Sequence, residues 1–230
     1  MNSTRIAAVF DIDGTLVAGD SLERIFIRFL WRRGELNWRE LVRCGAATLA
    51  MAATGRRSVR ASKIYLKGKD VLRIRRLARE CFDQEIVPRL LPQAIDRLRW
   101  HQAAGHFVIL LSGTLDLLLE LLAEYLGVSA RIGTRLELEG RYLTGRLAGV
   151  HPFGEAKAEC LMVMSRLGLF NRKRSFAYAD AYPDRHLLAC VGNPVATNPD
   201  ARLRLLAGRR GWMMEDFTLD KRPLLSGGNV

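Results

Sequence analysis

Two carboxylates one residue apart, Asp11 and Asp13, stand directly after the apolar run 6–10 and before Gly14-Thr15-Leu16. Alternate side chains of an extended chain share a face, so the pair would point one way if the strand continued. The Gly-Thr step turns the backbone instead, so that one carboxylate can face a bound substrate while the other lies beside it. A single Asp leaving a strand is commonly no more than an Asx-turn or a helix cap; the position of this pair at the end of an apolar run raises it above that reading. Further polar sets occupy comparable places. Ser112-Gly113-Thr114 follows the run 106–111, Asp180 and Asp184 follow the run 175–179, and Lys157 stands in Gly154-Glu155-Ala156-Lys157 ahead of an apolar helix. Taken singly, Ser112 reads equally as a helix N-cap, and a lone Lys157 reads better as a solvated surface lysine, but lysine is scarce here, with six in an Arg-rich chain.

The apolar runs are short and continuous, as strands buried on both faces of a parallel sheet are. From 106 onward strand and helix alternate: a strand, the polar turn 112–114, a Leu-rich helix stopped at Gly127, and a hairpin over 135–147 around Gly140. A helix over 155–168, a strand over 175–179, a helix from Pro199 to Gly211 and a last strand over 212–214 complete the series. Residues 18–90, by contrast, read as nearly all helix. Leu22, Ile25, Phe26, Phe29 and Leu30 recur at helical spacing behind Asp20 and Glu23 in capping-box positions, with Gly34 as the stop. Further helices are expected from Asn37 and Glu40 to Gly55, over 58–67, over 70–88 and over 92–104. The pattern predicts an α/β fold: a Rossmann-like open parallel sheet core over 1–17 and 91–230, with a helical cap inserted over 18–90. Ligands bind such sheets beyond the carboxyl ends of the strands, so the three polar strand ends are expected to meet.

In this order and spacing the motifs resemble those of the haloacid dehalogenase-like superfamily of Mg²⁺-dependent aspartyl phosphotransferases. Asp11 with Asp13 is similar to the first motif, Ser112-Gly113 to the second, Lys157 to the third, and Asp180 with Asp184 to the acidic fourth. The helical insert after the first motif, together with Gly192-Asn193-Pro194, Asn198-Pro199-Asp200 and Gly211-Trp212, resembles the phosphoserine phosphatase-like branch, subfamily IB. The resemblance spans nearly the whole chain. It implies a phosphomonoester hydrolase in which Asp11 is the nucleophile that forms an aspartyl-phosphate, and Asp13 is the general acid and then the base. It implies Mg²⁺ on Asp11, Asp180, the main-chain carbonyl of Asp13 and a water held by Asp184. Ser112 and the Gly113 amide would hold the phosphoryl oxygens at a helix N-terminus, and Lys157 would neutralise nucleophile and phosphate.

Elementary electrostatics asks for the same parts. A carboxylate attacking a phosphate dianion brings like charges together, so positioning and cations must carry catalysis. An all-oxygen donor set suits Mg²⁺, and no His or Cys cluster argues for zinc. The fourth motif departs from the family's usual pattern at Ala179, Ala181 and Pro183. The ligands are kept, but hydrogen bonds around them are at risk, at a typical cost of about 10–100-fold in affinity or activity. In phosphoserine phosphatases an acidic residue soon after the first motif reads the substrate amino group and a cap Arg reads the carboxylate. The positions that align here are Asp20, which also suits an N-cap, and Lys63, which lacks the bidentate fork of Arg. The implied substrate is a small phosphorylated metabolite, phosphoserine or an amino-alcohol phosphate such as histidinol phosphate.

Composition sets the outer bounds. With 49% hydrophobic residues in 230, the chain can bury a sizeable core, and a disordered or short peptide scaffold is excluded. Thirty-six basic against 24 acidic residues give a net charge of +12, but the excess is spread along the chain. A generally basic solvated surface therefore outweighs a dedicated nucleic-acid site. The alternative is a basic protein of the same fold that binds nucleic acid or anionic lipid with weak or no phosphatase activity. The uncharged stretch 44–55, flanked by Arg43, Arg56, Arg57 and Arg60, is far shorter than the roughly 20 residues that span a bilayer, so no transmembrane segment is expected. It reads as cap packing. Cys44, Cys81, Cys160 and Cys190 show no paired spacing, and the first ten residues lack a signal-peptide core, which points to reduced thiols and a cytoplasmic protein. His101, His106, His151 and His186 have no ligand spacing and read as structural or exposed. No sequence feature specifies an oligomeric state.

Overall fold

The structure, a computed structural model, describes residues 5–38, 42 and 63–219. The helix expected to end at Gly55, most of the one expected over 58–67, Cys44, and the arginines at 43, 56, 57 and 60 lie outside those residues. Eight strands occur among the described residues: β1 (Ala7–Phe10), β2 (Phe107–Leu115), β3 (Ala130–Thr134), β4 (Leu136–Glu139), β5 (Tyr142–Leu147), β6 (Phe176–Ala179), β7 (Asn193–Thr197) and β8 (Met213–Glu215). Six of them form one sheet in the order β3-β2-β1-β6-β7-β8, every neighbouring pair parallel, while β4 and β5 form a separate antiparallel hairpin. The described helices are α1 (Leu22–Arg32), α2 (Val71–Cys81), α3 (Pro92–Ala103), α4 (Asp116–Leu126), α5 (Glu155–Arg166), α6 (Arg185–Ala189) and α7 (Ala201–Arg210). This is the open parallel α/β sheet that the alternation of strand and helix predicts.

The two-residue period of the strands sorts the core into two layers. Ala8, Phe10, Val108, Leu110, Tyr178 and Val195 face a cluster that includes Phe26, Leu98 and Leu122 from α1, α3 and α4. Ala7, Val9, Ile109, Leu111, Ala177 and Ala196 face the opposite cluster, with Leu161 of α5, Leu187 and Leu188 of α6, and Leu203 of α7. β1 is buried on both faces, which is why it reads as a continuous apolar run.

Several local expectations are corrected. The cap of α1 is Ser21, whose hydroxyl accepts from the Arg24 amide, and not Asp20, whose carboxylate is drawn to Arg28 and Arg24. The helix expected over 70–88 ends as an α-helix at Cys81 and continues as a π-turn (Phe82–Ile86) and a 3₁₀ turn (Val87–Arg89), as Pro88 cannot donate to a helical ladder. Residues 112–114 are not a turn. β2 runs through them to Leu115 because β3 continues alongside, pairing Thr134 with Leu115. β3, α6 and β7 fall outside the expected elements; Pro194 sits inside β7, but only one residue from its start, where a missing donor is tolerated.

The chain leaves and re-enters the sheet region side by side. Val17 bridges Leu90, the Ala18 amide donates to Arg89 O at 2.8 Å, and the Leu91 amide donates to Leu16 O at 2.9 Å. The described end of the intervening segment lies along β5, with hydrogen bonds from Gly68 N to Leu143 O (2.7 Å), Leu143 N to Lys69 O (2.9 Å) and Val71 N to Arg141 O (3.0 Å). Many of the arginines pair with acids, as in Arg32–Glu85, Arg75–Glu120, Arg79–Glu124 and Arg204–Asp216.

Tyr178 links the sheet to α3. Its ring stacks on Phe10 with centroids 4.5 Å apart, and its hydroxyl lies 2.8 Å from Nε2 of His101, a buried ring that burial pushes down to a pKa of about 3 and so keeps neutral. Tyr178→Phe leaves that nitrogen without its partner. Urea unfolding is expected to show a loss of about 1–2 kcal/mol, with turnover unchanged.

Candidate active site

The register of the three central strands sets the site. Phe10 is level with Leu110 on one side and Tyr178 on the other, so Asp11 follows immediately, with Ser112 and Asp180 one step further along their own strands. The strand order reverses between β2 and β6 around β1, which opens a crevice at the carboxyl ends of the strands. Gly14 then turns the chain at φ 79°, where a Cβ would collide with the Asp180 carboxylate. The glycine is needed for both reasons. From the far side, Asn198 (φ 44°) donates from its side chain to Gly14 O at 3.1 Å and accepts from the Phe217 amide at 2.6 Å. Asp200 holds the acidic loop: its amide donates to Asp180 O at 2.9 Å, and its carboxylate accepts from the Tyr182 amide at 2.8 Å. These bonds hold the backbone around Ala181 and Pro183, where the family's polar side chains are missing.

A cleft of ≈ 640 Å³ brings together Asp11, Asp13, Ser112, Gly113, Lys157, Asp180 and Asp184, and Lys63 lines it as well. Asp20 is not among the lining residues. In its place are Glu23, in the first turn of α1, and Tyr65. Glu23 is gripped by Lys63 Nζ at 2.5 Å and by the Tyr65 hydroxyl at 2.8 Å, so the buried Lys63 ammonium meets a carboxylate supplied by the protein itself. His151 and Phe153 also line the cleft, their rings parallel within 12° at 6.1 Å. Neither stood out in the sequence: a lone His in a Pro/Gly loop has no spacing partner, and the only signal was its nearness to Lys157.

Lys157, on the first turn of α5, is buried and lies 2.7 Å from both Asp11 Oδ1 and Asp184 Oδ2. Burial opposes its charge, but the Asp11 and Asp184 carboxylates outweigh that and hold the ammonium above its ordinary pKa. Around this one cation the remaining acids are strained toward neutrality. Burial, then the charges of Asp11 and Asp184, pushes Asp180 up to about 8. Burial pushes Asp184 up to about 7 against the pull of Lys157. Asp13 is raised to about 7 by burial and by Asp11, even though its Oδ1 accepts from the Leu22 amide at 2.8 Å. That bond ties Asp13 to the start of α1. Ser112 Oγ accepts from the Thr114 amide at 3.1 Å, which leaves the hydroxyl proton for an acceptor in the cleft. Ser112 stands in β2, four residues ahead of α4, and not at the helix N-terminus expected for it.

The cluster fits a hard divalent cation. Oxygens of Asp11, Asp180 and Asp184 lie within 4.8 Å of one another, and Asp184 Oδ1 is buried without a hydrogen-bond partner among the described residues. Carboxylates alone, with no thiolate or imidazole, suit Mg²⁺ over zinc.

A carboxylate cluster around a buried lysine at the switch point of a parallel sheet defines a hydrolase of the haloacid dehalogenase-like family, whose profile matches residues 8–189; the chain belongs to that family. Its relatives include proteins named as phosphatases, and this chain is an enzyme of that class. It is 33% identical over 226 residues to the phosphoserine phosphatase SerB1 of Mycobacterium tuberculosis, covering 94% of this chain and 72% of the relative. It is 29% identical over 219 residues to a histidinol-phosphatase of Neisseria meningitidis, covering 91% and 98%. Among solved structures, a protein of unknown function from Bordetella pertussis superposes with a TM-score of 0.81 at 28% identity, covering 95% of this chain and all of that one. No helix among the described residues is long and apolar enough to cross a membrane.

The raised acids set the sign of a stability change. Asp13, Asp180 and Asp184 all bind protons more tightly folded than unfolded, so the folded state holds more protons than the unfolded one between about pH 4 and 8. The stability they confer at low pH is lost as pH rises through that window. Melting in EDTA is expected to show Tm falling from pH 5 to pH 8, and Mg²⁺ is expected to raise Tm more at pH 8 than at pH 5. A Tm in EDTA that climbs with pH would contradict this account.

Proposed function

We propose that the chain is a cytoplasmic, Mg²⁺-dependent phosphomonoesterase working through an aspartyl-phosphate on Asp11, with residues 18–90 as its cap. The observation that carries the proposal is the buried Lys157, within 2.7 Å of Asp11 and Asp184, beside the cleft-facing Ser112. Asp11 Oδ attacks phosphorus as the bond to the leaving alkoxide breaks. Asp13, whose pKa of about 7 keeps much of it protonated near neutrality, gives its proton to that alkoxide. Once ionised, Asp13 takes a proton from the water that attacks the aspartyl-phosphate, and the cycle closes with inorganic phosphate released. Ser112 and the Gly113 amide would hold the phosphoryl oxygens, and Lys157 would offset the charge of nucleophile and phosphate together. Asp11, Asp180, the Asp13 carbonyl and, through a water, Asp184 would hold Mg²⁺, which would supply further neutralisation of the phosphoryl oxygens.

The substrate proposed is a small phosphorylated metabolite, phosphoserine or an amino-alcohol phosphate such as histidinol phosphate, as the names of the two relatives suggest. Glu23 takes the place proposed for Asp20 as the reader of a substrate ammonium, since Glu23 lines the cleft and Asp20 does not. Lys63 and Glu23 are matched to each other, and a substrate carboxylate or ammonium must compete with that pair.

Phosphate release over a panel of phosphoserine, histidinol phosphate, sugar phosphates, nucleotides and lysophosphatidate tests the reading. Mg²⁺-dependent release is expected, reduced at least about 10³-fold in Asp11→Asn while melting stays cooperative. Glu23→Gln is expected to raise KM selectively for the amine-bearing esters. Wild-type rates in Asp11→Asn would overturn the mechanism. Salt-sensitive binding to nucleic acid or anionic vesicles with no hydrolysis would favour a binding protein instead.

A further inference from the structure

We propose that His151 is a positioning residue for phosphoryl transfer, which acts through Thr134 to fix the peptide behind the Ser112 hydroxyl; this rests on the reading of Ser112 and Gly113 as the phosphoryl-binding pair. Thr134 Oγ1 lies 2.7 Å from Gly113 O and 2.7 Å from His151 Nδ1. A carbonyl only accepts, so the single hydroxyl proton of Thr134 goes to Gly113. The threonine oxygen must then accept from His151, which places a proton on Nδ1. The relay runs His151 Nδ1–H to Thr134 O–H to Gly113 C=O, and Thr134 at its centre is fully buried.

The Gly113 carbonyl and the Thr114 amide belong to one planar peptide unit. That amide donates to Ser112 Oγ at 3.1 Å, so the orientation the relay imposes decides which way the serine proton is left to point. A second contact joins the same residues independently. A Cβ at Gly113 would stand 3.1 Å from His151 Cε1 and 3.4 Å from Pro152 O, so the 151–153 loop rests on Gly113 itself. That loop then passes through Gly154 at φ 59° into the helix that carries Lys157. One imidazole thus joins the segment that binds the phosphoryl group to the segment that delivers the ammonium.

Asparagine can replace the Nδ1 donor of histidine, whereas glutamine reaches to the Nε2 position. With p-nitrophenyl phosphate as substrate, His151→Gln is expected to lower kcat about 10–100-fold and His151→Asn to recover most of it. Thr134→Val should lose as much as His151→Gln, and Thr134→Ser should restore it. Inorganic phosphate binding, read by calorimetry in Mg²⁺, is expected to weaken in His151→Gln and persist in His151→Asn. Because binding is read apart from turnover, a wild-type chain that hydrolyses nothing yet shows this binding pattern would count against the proposed function and in favour of the relay. Equal behaviour of the Asn and Gln variants in both measurements, or no phosphate binding to the wild type, overturns the role of His151.

Discussion

One buried ammonium faces more carboxylate than it can neutralise, and the rest of the structure depends on that imbalance. Lys157 is enclosed by Asp11 and Asp184, while Asp180 and Asp13 stand close enough for Asp11 to push their titration upward. Burying charge without full compensation is costly, so a fold keeps such a cluster only where surrounding bonds over-determine it. Those bonds are visible. Asn198 grips the Gly14 turn, Asp200 grips the acidic loop, and the amide of Leu22 grips Asp13. The same deficit of positive charge is what the proposed Mg²⁺ and phosphoryl group would use.

The backbone does most of the placing. Parallel pairing puts the ends of β2, β1 and β6 on one line, and the side chains at the ends of those strands meet without any loop having to reach far. Loops on rigid strand ends can vary while the floor of the site stays fixed. The wall of the cleft is built differently. Glu23, Lys63 and Tyr65 come from two separate elements between β1 and β2 and satisfy one another, so residues can change there without disturbing the floor.

The floor was legible in the sequence and the wall was not, for a physical reason. Asp11, Asp13, Lys157, Asp180 and Asp184 each follow a recognisable apolar run or open an apolar helix, so local pattern announces their place. Glu23 is a helical acid like many others, and its role depends on Lys63, forty residues away, which no periodicity reports. Asp20, the position the resemblance aligns, does not line the cleft: the Ser21 hydroxyl takes the helix cap, and Arg24 and Arg28 draw the Asp20 carboxylate to themselves. The sheet was readable from its continuous runs, but β7 was hidden by Pro194. β2 was read short because Ser-Gly-Thr has the composition of a turn, while its backbone is held extended by β3.

The paired crossing at Val17 and Leu90 has a consequence for how the chain assembles. β1 must find β2 with a hundred residues between Ala7 and Phe107, a separation that makes closure slow for a parallel pair. Once 16–18 and 89–91 have zipped together, the intervening segment is a closed loop, and the distance the chain must search collapses to the two short stretches outside it. The residues between the two stretches then add length to the protein without adding it to the folding problem of the sheet.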